Sequence, residues 1–163
     1  MTHVLSLLVE NHQGVLSRIS GLFSGRGYNL ESITAGVTTD PEITRITLVC
    51  KGDDLVIAQI KKQLNKLVDV IKVADLTGVP ALHRELALIK VRVKPSQRGE
   101  IFQVADVFRA RVLDVGLDSM VLELVGSPEK IDDFAAILQP YALQEIARSG
   151  LISVERGKKR KPS

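Results

Sequence analysis

The 163-residue chain has no tryptophan, a single cysteine, and only four Phe and two Tyr. Each shortage excludes something. Cys50, alone in the apolar run ITLVC, rules out an intrachain disulfide framework and a multi-cysteine metal site, and it suits a reducing cytoplasm. No apolar run approaches the ~20 residues a membrane helix needs, and the N-terminus lacks the basic region and cleavage site of a signal peptide, so neither membrane insertion nor secretion is expected. Scarce aromatics remove the stacking platform on which sheets of this size bind RNA, and no helix-turn-helix segment is present to read DNA.

Recognisable catalytic patterns are missing as well. The chain carries no phosphate loop of the G-x-x-x-x-G-K-[ST] type, no dinucleotide fingerprint, no metal-spaced His/Cys cluster and no nucleophile elbow. His3 and His83 have no acid or metal partner at a recognisable spacing, and His12 reads as a neutral, exposed loop residue. Asp53 with Asp54, and Asp132 with Asp133, read as helix starts, where the dipole favours negative charge, rather than as carboxylate pairs for acid–base work. No active site and no bound metal are expected on this chain.

What remains is the composition of a globular protein, 45% apolar and 25% charged, enough for one ordinary domain or two small ones. Much of the net charge of +3 comes from the terminal RGKKRKPS, Arg156 to Ser163, which reads as a solvated tail.

Met1 to Leu76 divides into strand, helix, strand, strand, helix, strand. Val4–Val9 is an apolar strand. Val15–Gly25 sets Val15, Ile19, Leu22 and Phe23 on one helical face, with Gly25 and Gly27 as the stop. Leu30–Thr38 and Ile43–Lys51 form a hairpin across the turn TDPE. Asp53 or Asp54 caps a helix with a stripe of Val56, Ile60, Leu64 and Leu67, and Val70–Leu76 is the fourth strand.

The second half repeats this order. Leu86–Val93 alternates, with Ala87, Ile89, Val91 and Val93 on one face. Ile101, Val104, Ala105 and Phe108 make a helical stripe, and Val112–Val115 and Met120–Val125 read as paired strands. Ser127 and Pro128 suit the start of a helix carrying Ile131, Phe134, Ala135 and Leu138, and a last strand lies within Ala142–Val154. The expected fold is α+β, two ferredoxin-like βαββαβ domains (split βαβ units) over residues 1–77 and 84–163, with 78–83 as linker and a basic tail from about 156. In the first domain the strands are apolar on both faces, so the face or edge without helices needs a cover, which a homodimer would supply.

Gly and Asn residues bracket the first helix. Gly14 precedes it, so the N–H groups of Val15, Leu16 and Ser17 lack helical partners and face an open loop, a ready anion site. A small amino acid offers those donors a carboxylate, and its ammonium needs oxygen acceptors such as the side chains of Asn11 and Asn29. Equally, Asn11 and Gly14 make a turn, and Asn29 follows a helix stop; on spacing alone both readings stand.

The residues themselves resemble a known family. LLVENHQGVLSRISGLFSGRGYNLESIT is similar to the N-terminal ACT domain of the regulatory, or small, subunit of acetolactate synthase (acetohydroxyacid synthase). The resemblance continues through DPEITRITLV, QIKKQLNKLVDVIKV, RELALIKV and EIARSGLISVERG, nearly the whole chain. It implies paired ACT domains that bind a branched-chain amino acid, usually valine, where two protomers meet. The effector positions it implies are Asn11, Gly14 with the amides of Val15 and Leu16, and Asn29 from across the interface. Ala35 and Gly36 stand near the expected pocket without a bulky wall, so leucine or isoleucine remain candidates beside valine. It further implies a non-catalytic subunit whose partner is the acetolactate synthase large catalytic subunit, where thiamine diphosphate, magnesium (Mg) and FAD are bound. That partner joins two pyruvates, or pyruvate and 2-oxobutyrate; this chain would activate it and make it subject to feedback inhibition. The alternative is a free-standing ACT-type amino-acid sensor. Nucleic acid and membrane are not expected partners.

Overall fold

The computed structural model describes residues 1–157, so most of the basic tail read at 156–163 lies outside the described residues. Two compact units are present: Met1–Leu82 together with the described residues from Leu151 on, and His83–Gly150. No helix among the described residues is long and apolar enough to cross a membrane.

The first unit runs β1 (Thr2–Glu10), α1 (Val15–Arg26), β2 (Asn29–Val37), β3 (Ile43–Lys51), α2 (Asp54–Leu64), β4 (Val70–Asp75). Its antiparallel sheet has the order β2-β3-β1-β4. Alternation turns Leu5, Leu7 and Val9 of β1 and Ile46, Leu48 and Cys50 of β3 toward the helices, where Val15, Ile19 and Phe23 of α1 and Ile57, Ile60 and Leu64 of α2 close the core. Gly25 sits inside α1; Gly27, at φ 67°, ends it. The Tyr28 N–H then donates to the Phe23 carbonyl at 3.0 Å, and the two rings meet edge to face at 6.0 Å, the apolar contact that accompanies such a left-handed stop. Asp53 is the α2 cap, its side chain accepting from the Val56 N–H at 2.8 Å.

The face of this sheet away from the helices differs from the expectation. Val4, Leu8 and Val49 stand on it, but its middle carries Ser6 and Thr47, which are only 4% and 2% exposed in the single chain. Arg45 Nη1 donates to Ser6 Oγ at 2.9 Å. That face is apolar at its ends and polar at its centre. Among the described residues the outer edges of β2 and β4 stay unpaired, with Ile33 and Val37 exposed on β2 and Ile71 on β4.

The second unit contains β5 (Ala81–Arg92), α3 (Arg98–Phe108), β6 (Arg111–Val115), β7 (Ser119–Gly126), α4 (Pro128–Leu138) and β8 (Leu143–Arg148), in the sheet order β6-β7-β5-β8. The expected alternation holds, with Ala87, Ile89, Val91 and Val93 buried. Ser127 caps α4 by accepting from the Lys130 N–H, with Pro128 following it in the first turn. Two boundaries differ from the sequence reading. β5 begins at Ala81, so the connection is shorter than 78–83, and its first residues belong to the first unit. The single strand expected within Ala142–Val154 is two, β8 and β9 (Ile152–Glu155), separated by a turn at Gly150 with φ 83°. The Arg156 N–H donates to the Pro80 carbonyl at 2.8 Å, and residues 151–157 belong to the first unit.

Cys50 is fully buried, and burial pushes its thiol up to about 11. A thiolate is therefore disfavoured in the native state, and native stability attributable to this group falls as pH rises from the ordinary thiol range through about 11. At pH 8 the native chain should be inert to an aromatic disulfide reagent and release one thiol equivalent only in denaturant. Rapid reaction of the native chain would contradict this packing.

Candidate functional site

The first helix starts without a side-chain cap. Gly14 occupies the capping position at φ 88° and ψ −7°, a left-handed conformation that side-chain-bearing residues rarely adopt. Its carbonyl accepts the first helical bond, from the Arg18 N–H at 3.0 Å. The amides of Val15, Leu16 and Ser17 come before that bond and so have no partner within the helix. They open onto a cavity of about 140 Å3 lined by Val9, Glu10, Asn11, His12, Gly14, Val15, Leu16, Ser17, Thr44 and Ile46. Its lining combines aliphatic residues (Val9, Val15, Ile46), the first-turn residues whose amides lack helical partners, and Glu10 and Asn11, which carry oxygen acceptors. A small zwitterion with an aliphatic side chain matches all three.

The loop that forms the mouth is anchored from the β2–β3 turn. The Asn11 N–H donates to the Glu42 carbonyl, and Asn11 Nδ2 to the Pro41 carbonyl, both at 2.8 Å. Committing Nδ2 to Pro41 leaves Oδ1 as the acceptor end of the side chain. Asn11, Gly14, Val15 and Leu16 are therefore brought together in one cavity. Asn29 is not among its lining residues. It opens β2 opposite Lys51, whereas Asn11 bonds to Glu42 just before the start of β3. The eight residue steps of β3 from Ile43 to Lys51 span about 27 Å at strand rise, so Asn29 and Asn11 of one chain stand at opposite ends of the sheet. Ala35 and Gly36 do not line the cavity either; Ala35 pairs with Ile46 on the neighbouring strand.

A charged group beside the cavity was not legible in the motif. Asp69, just before β4, has a side chain only 5% exposed; its Oδ2 accepts from Arg18 Nε at 2.6 Å and its Oδ1 lies 2.9 Å from His12 Nε2. Glu10 Oε2 is 3.1 Å from the same nitrogen. His12 is thus not an unengaged loop residue. The Glu10 carboxylate foremost, then the Gln13 carbonyl, raises its pKa above the usual histidine value. The available signal was Asp69 itself, an acid inside the apolar run LVDV, since a buried carboxylate requires a partner.

Comparison with known proteins matches two families in succession along the chain. Residues 5–72 match the family described as the AHAS small subunit-like ACT domain, and residues 84–157 match the small subunit of acetolactate synthase. The acetolactate synthase small subunit of Haemophilus influenzae is 47% identical over 160 residues, covering 98% of both chains. The chain belongs to the acetolactate synthase small-subunit family. Another member, the acetolactate synthase small subunit of Mycolicibacterium smegmatis, is 46% identical over 156 residues, 96% of this chain and 92% of that one. Among solved structures, the acetolactate synthase small subunit of Thermotoga maritima aligns with a TM-score of 0.91 at 38% identity, covering 98% of this chain and 99% of that chain. Membership in a small-subunit family carries with it a partner, the catalytic large subunit of acetolactate synthase.

The Arg18–Asp69 pair fixes α1, and with it the three amides, to the start of β4. Arg18→Ala leaves a buried carboxylate without its cation and should lower stability in urea unfolding by about 1–3 kcal/mol. A change below a few tenths would mean that the pair holds nothing in place.

Proposed function

We propose that this chain is a non-catalytic regulatory subunit that raises the activity of the acetolactate synthase large subunit and confers feedback inhibition by a branched-chain amino acid, valine first, then leucine or isoleucine. Thiamine diphosphate, Mg and FAD belong to the large subunit in this reading. The observation that carries it is the cavity at the start of α1, where unpaired amides, oxygen acceptors and aliphatic residues converge in a chain of this family.

The effector residues are Asn11, Gly14, Val15 and Leu16 of one protomer with Asn29 of a second. Sheet geometry supports the sharing. β2 is an outer strand, and it runs antiparallel to β3 with Val37 opposite Thr44, a cavity residue. Two β2 edges paired antiparallel about a twofold axis bring the start of one strand beside the end of the other. The partner's Asn29 then arrives at the Val37–Thr44 end, where Asn11 is, although Asn29 of the same chain is about 27 Å away by strand rise. A homodimer joined in this way binds effector only when assembled, so ligand and assembly stabilise one another. To inhibit the enzyme, the effector must also bind one arrangement of the holoenzyme better than another, because equal affinity shifts no equilibrium.

Melting of the purified chain with each branched-chain amino acid tests the reading. At 100 times its Kd a ligand adds about 2.7 kcal/mol, so one of the three should raise the midpoint by several degrees. Gly14→Asp, whose carboxylate repels the ligand's own, and Asn29→Ala should each lose the shift, read against their own ligand-free midpoints. No shift in wild type, or an unchanged shift in Gly14→Asp, contradicts the site. Co-purification with the large subunit separates the regulator from a free-standing sensor, which would form no such complex.

A further inference from the structure

Glu10, His12 and Asp69 bring three metal-ligating atoms within 4.8 Å of one another at the rim of the cavity, the one such group found among the described residues. They come from separate parts of the first unit, the end of β1 with its following loop and the residue before β4. Three features of the group bear on what it holds.

The first is the orientation of the imidazole. His12 Nδ1 faces the Gln13 carbonyl at 3.5 Å, and a carbonyl oxygen only accepts, so the tautomer that satisfies this contact carries its hydrogen on Nδ1. In the neutral ring Nε2 then presents its lone pair to Glu10 Oε2 at 3.1 Å and Asp69 Oδ1 at 2.9 Å. Three electron-rich atoms at those separations repel unless a positive charge lies between them. A proton on Nε2 is one such charge and a metal ion is the other.

The second is distance. Nitrogen and oxygen ligands bonded at about 2.1 Å lie about 3.4 Å apart at the tetrahedral angle zinc prefers and about 3.0 Å apart at right angles; Nε2 stands 2.9 and 3.1 Å from the two oxygens, the right-angled spacing open to six-coordinate cobalt or nickel. The third is preparation. Asp69 is buried and its second oxygen is held by Arg18 Nε at 2.6 Å, while His12 is turned by Gln13, the kind of outer hydrogen bonding that orients metal ligands. With neutral His12, the two carboxylates and Arg18 sum to one negative charge, which offsets half the charge of a dication. An imidazole nitrogen with two carboxylate oxygens suits zinc, cobalt or nickel better than magnesium or calcium.

We propose that Glu10 Oε2, His12 Nε2 and Asp69 Oδ1 form a binding site for a divalent cation of the zinc class, its remaining positions open to solvent. Such an ion pins the loop containing Asn11 and Gly14 to the start of β4. The site stands whether or not the neighbouring cavity takes an amino acid.

The test uses the untagged full chain, stripped with chelator and titrated with Co2+ at pH 8, above the ordinary histidine range. The expected result is a visible cobalt absorption saturating at one ion per chain and bleached by Zn2+, with a melting midpoint that rises on adding Zn2+. His12 and Glu10 are both exposed, so His12→Gln and Glu10→Gln should fold, as far-ultraviolet dichroism would verify. His12→Gln should abolish both the absorption and the melting shift, and Glu10→Gln should weaken Co2+ binding at least tenfold. Absence of a saturable cobalt spectrum in wild type would overturn the proposal and leave a proton as the occupant of Nε2. A spectrum unchanged in His12→Gln would overturn it too, by putting the ion elsewhere.

Discussion

The arrangement depends on one local constraint: a left-handed glycine at the entry of α1 that starts the helix without capping it. A Ser, Thr or Asp in that position could have spent its side chain on the first-turn amides, as Asp53 and Ser127 do at α2 and α4. At Gly14 nothing does, and the backbone conformation at φ 88° is one a side chain would strain. The helix end forgoes the stability a side-chain cap would add, and its amides stay unpaired within the helix. The surrounding contacts hold the unpaired amides in place: Arg18 on Asp69 from below, Asn11 on Pro41 and Glu42 from the side, and Val15 packed into the core.

From that constraint the rest of the first unit takes its meaning. β1 and β3 supply an aliphatic floor through Val9 and Ile46, and the β2–β3 turn anchors the loop at the mouth through the bonds of Asn11 to Pro41 and Glu42. The same hairpin leaves β2 on the outside of the sheet, with a free row of backbone groups. A cavity near one end of an unpaired edge is a site that a twofold axis can complete. In the proposed dimer the ligand and the subunit contact would share residues, and sensing would need no separate device.

Much of this was legible in the residues because it is local. The strict alternation from Ala87 to Val93, the Ser127-Pro128 start and the turn at TDPE each state their own geometry. Boundaries were less so. Gly25 reads as a helix stop, yet it lies on the exposed side of α1, where glycine costs the helix about 1 kcal/mol without ending it; the backbone reversal falls two residues later. The start of β5 at Ala81 is hidden by LHRE, which has no clean alternation, and β9 is hidden because a positive-φ glycine breaks a run that otherwise reads as one strand. At the site, Asn11, Gly14, Val15 and Leu16 were legible as neighbours in sequence. The engagement of His12 with Asp69 was not, because strand pairing between β1 and β4 brings them together across most of a domain. The polar centre of the far sheet face, Ser6 beside Thr47, was likewise lost among its aliphatic neighbours.

The claim at the centre is that one effector site draws residues from two chains, and mixed dimers test it most directly. Asn11→Ala and Asn29→Ala chains bearing different tags would be co-expressed and the heterodimer isolated through both tags. Calorimetry would then count effector sites in it and in each parent homodimer. Sharing predicts that both parents bind poorly while the heterodimer regains one full-affinity site per two chains, because one of its two seams has both asparagines intact. A heterodimer no better than its parents would contradict the account.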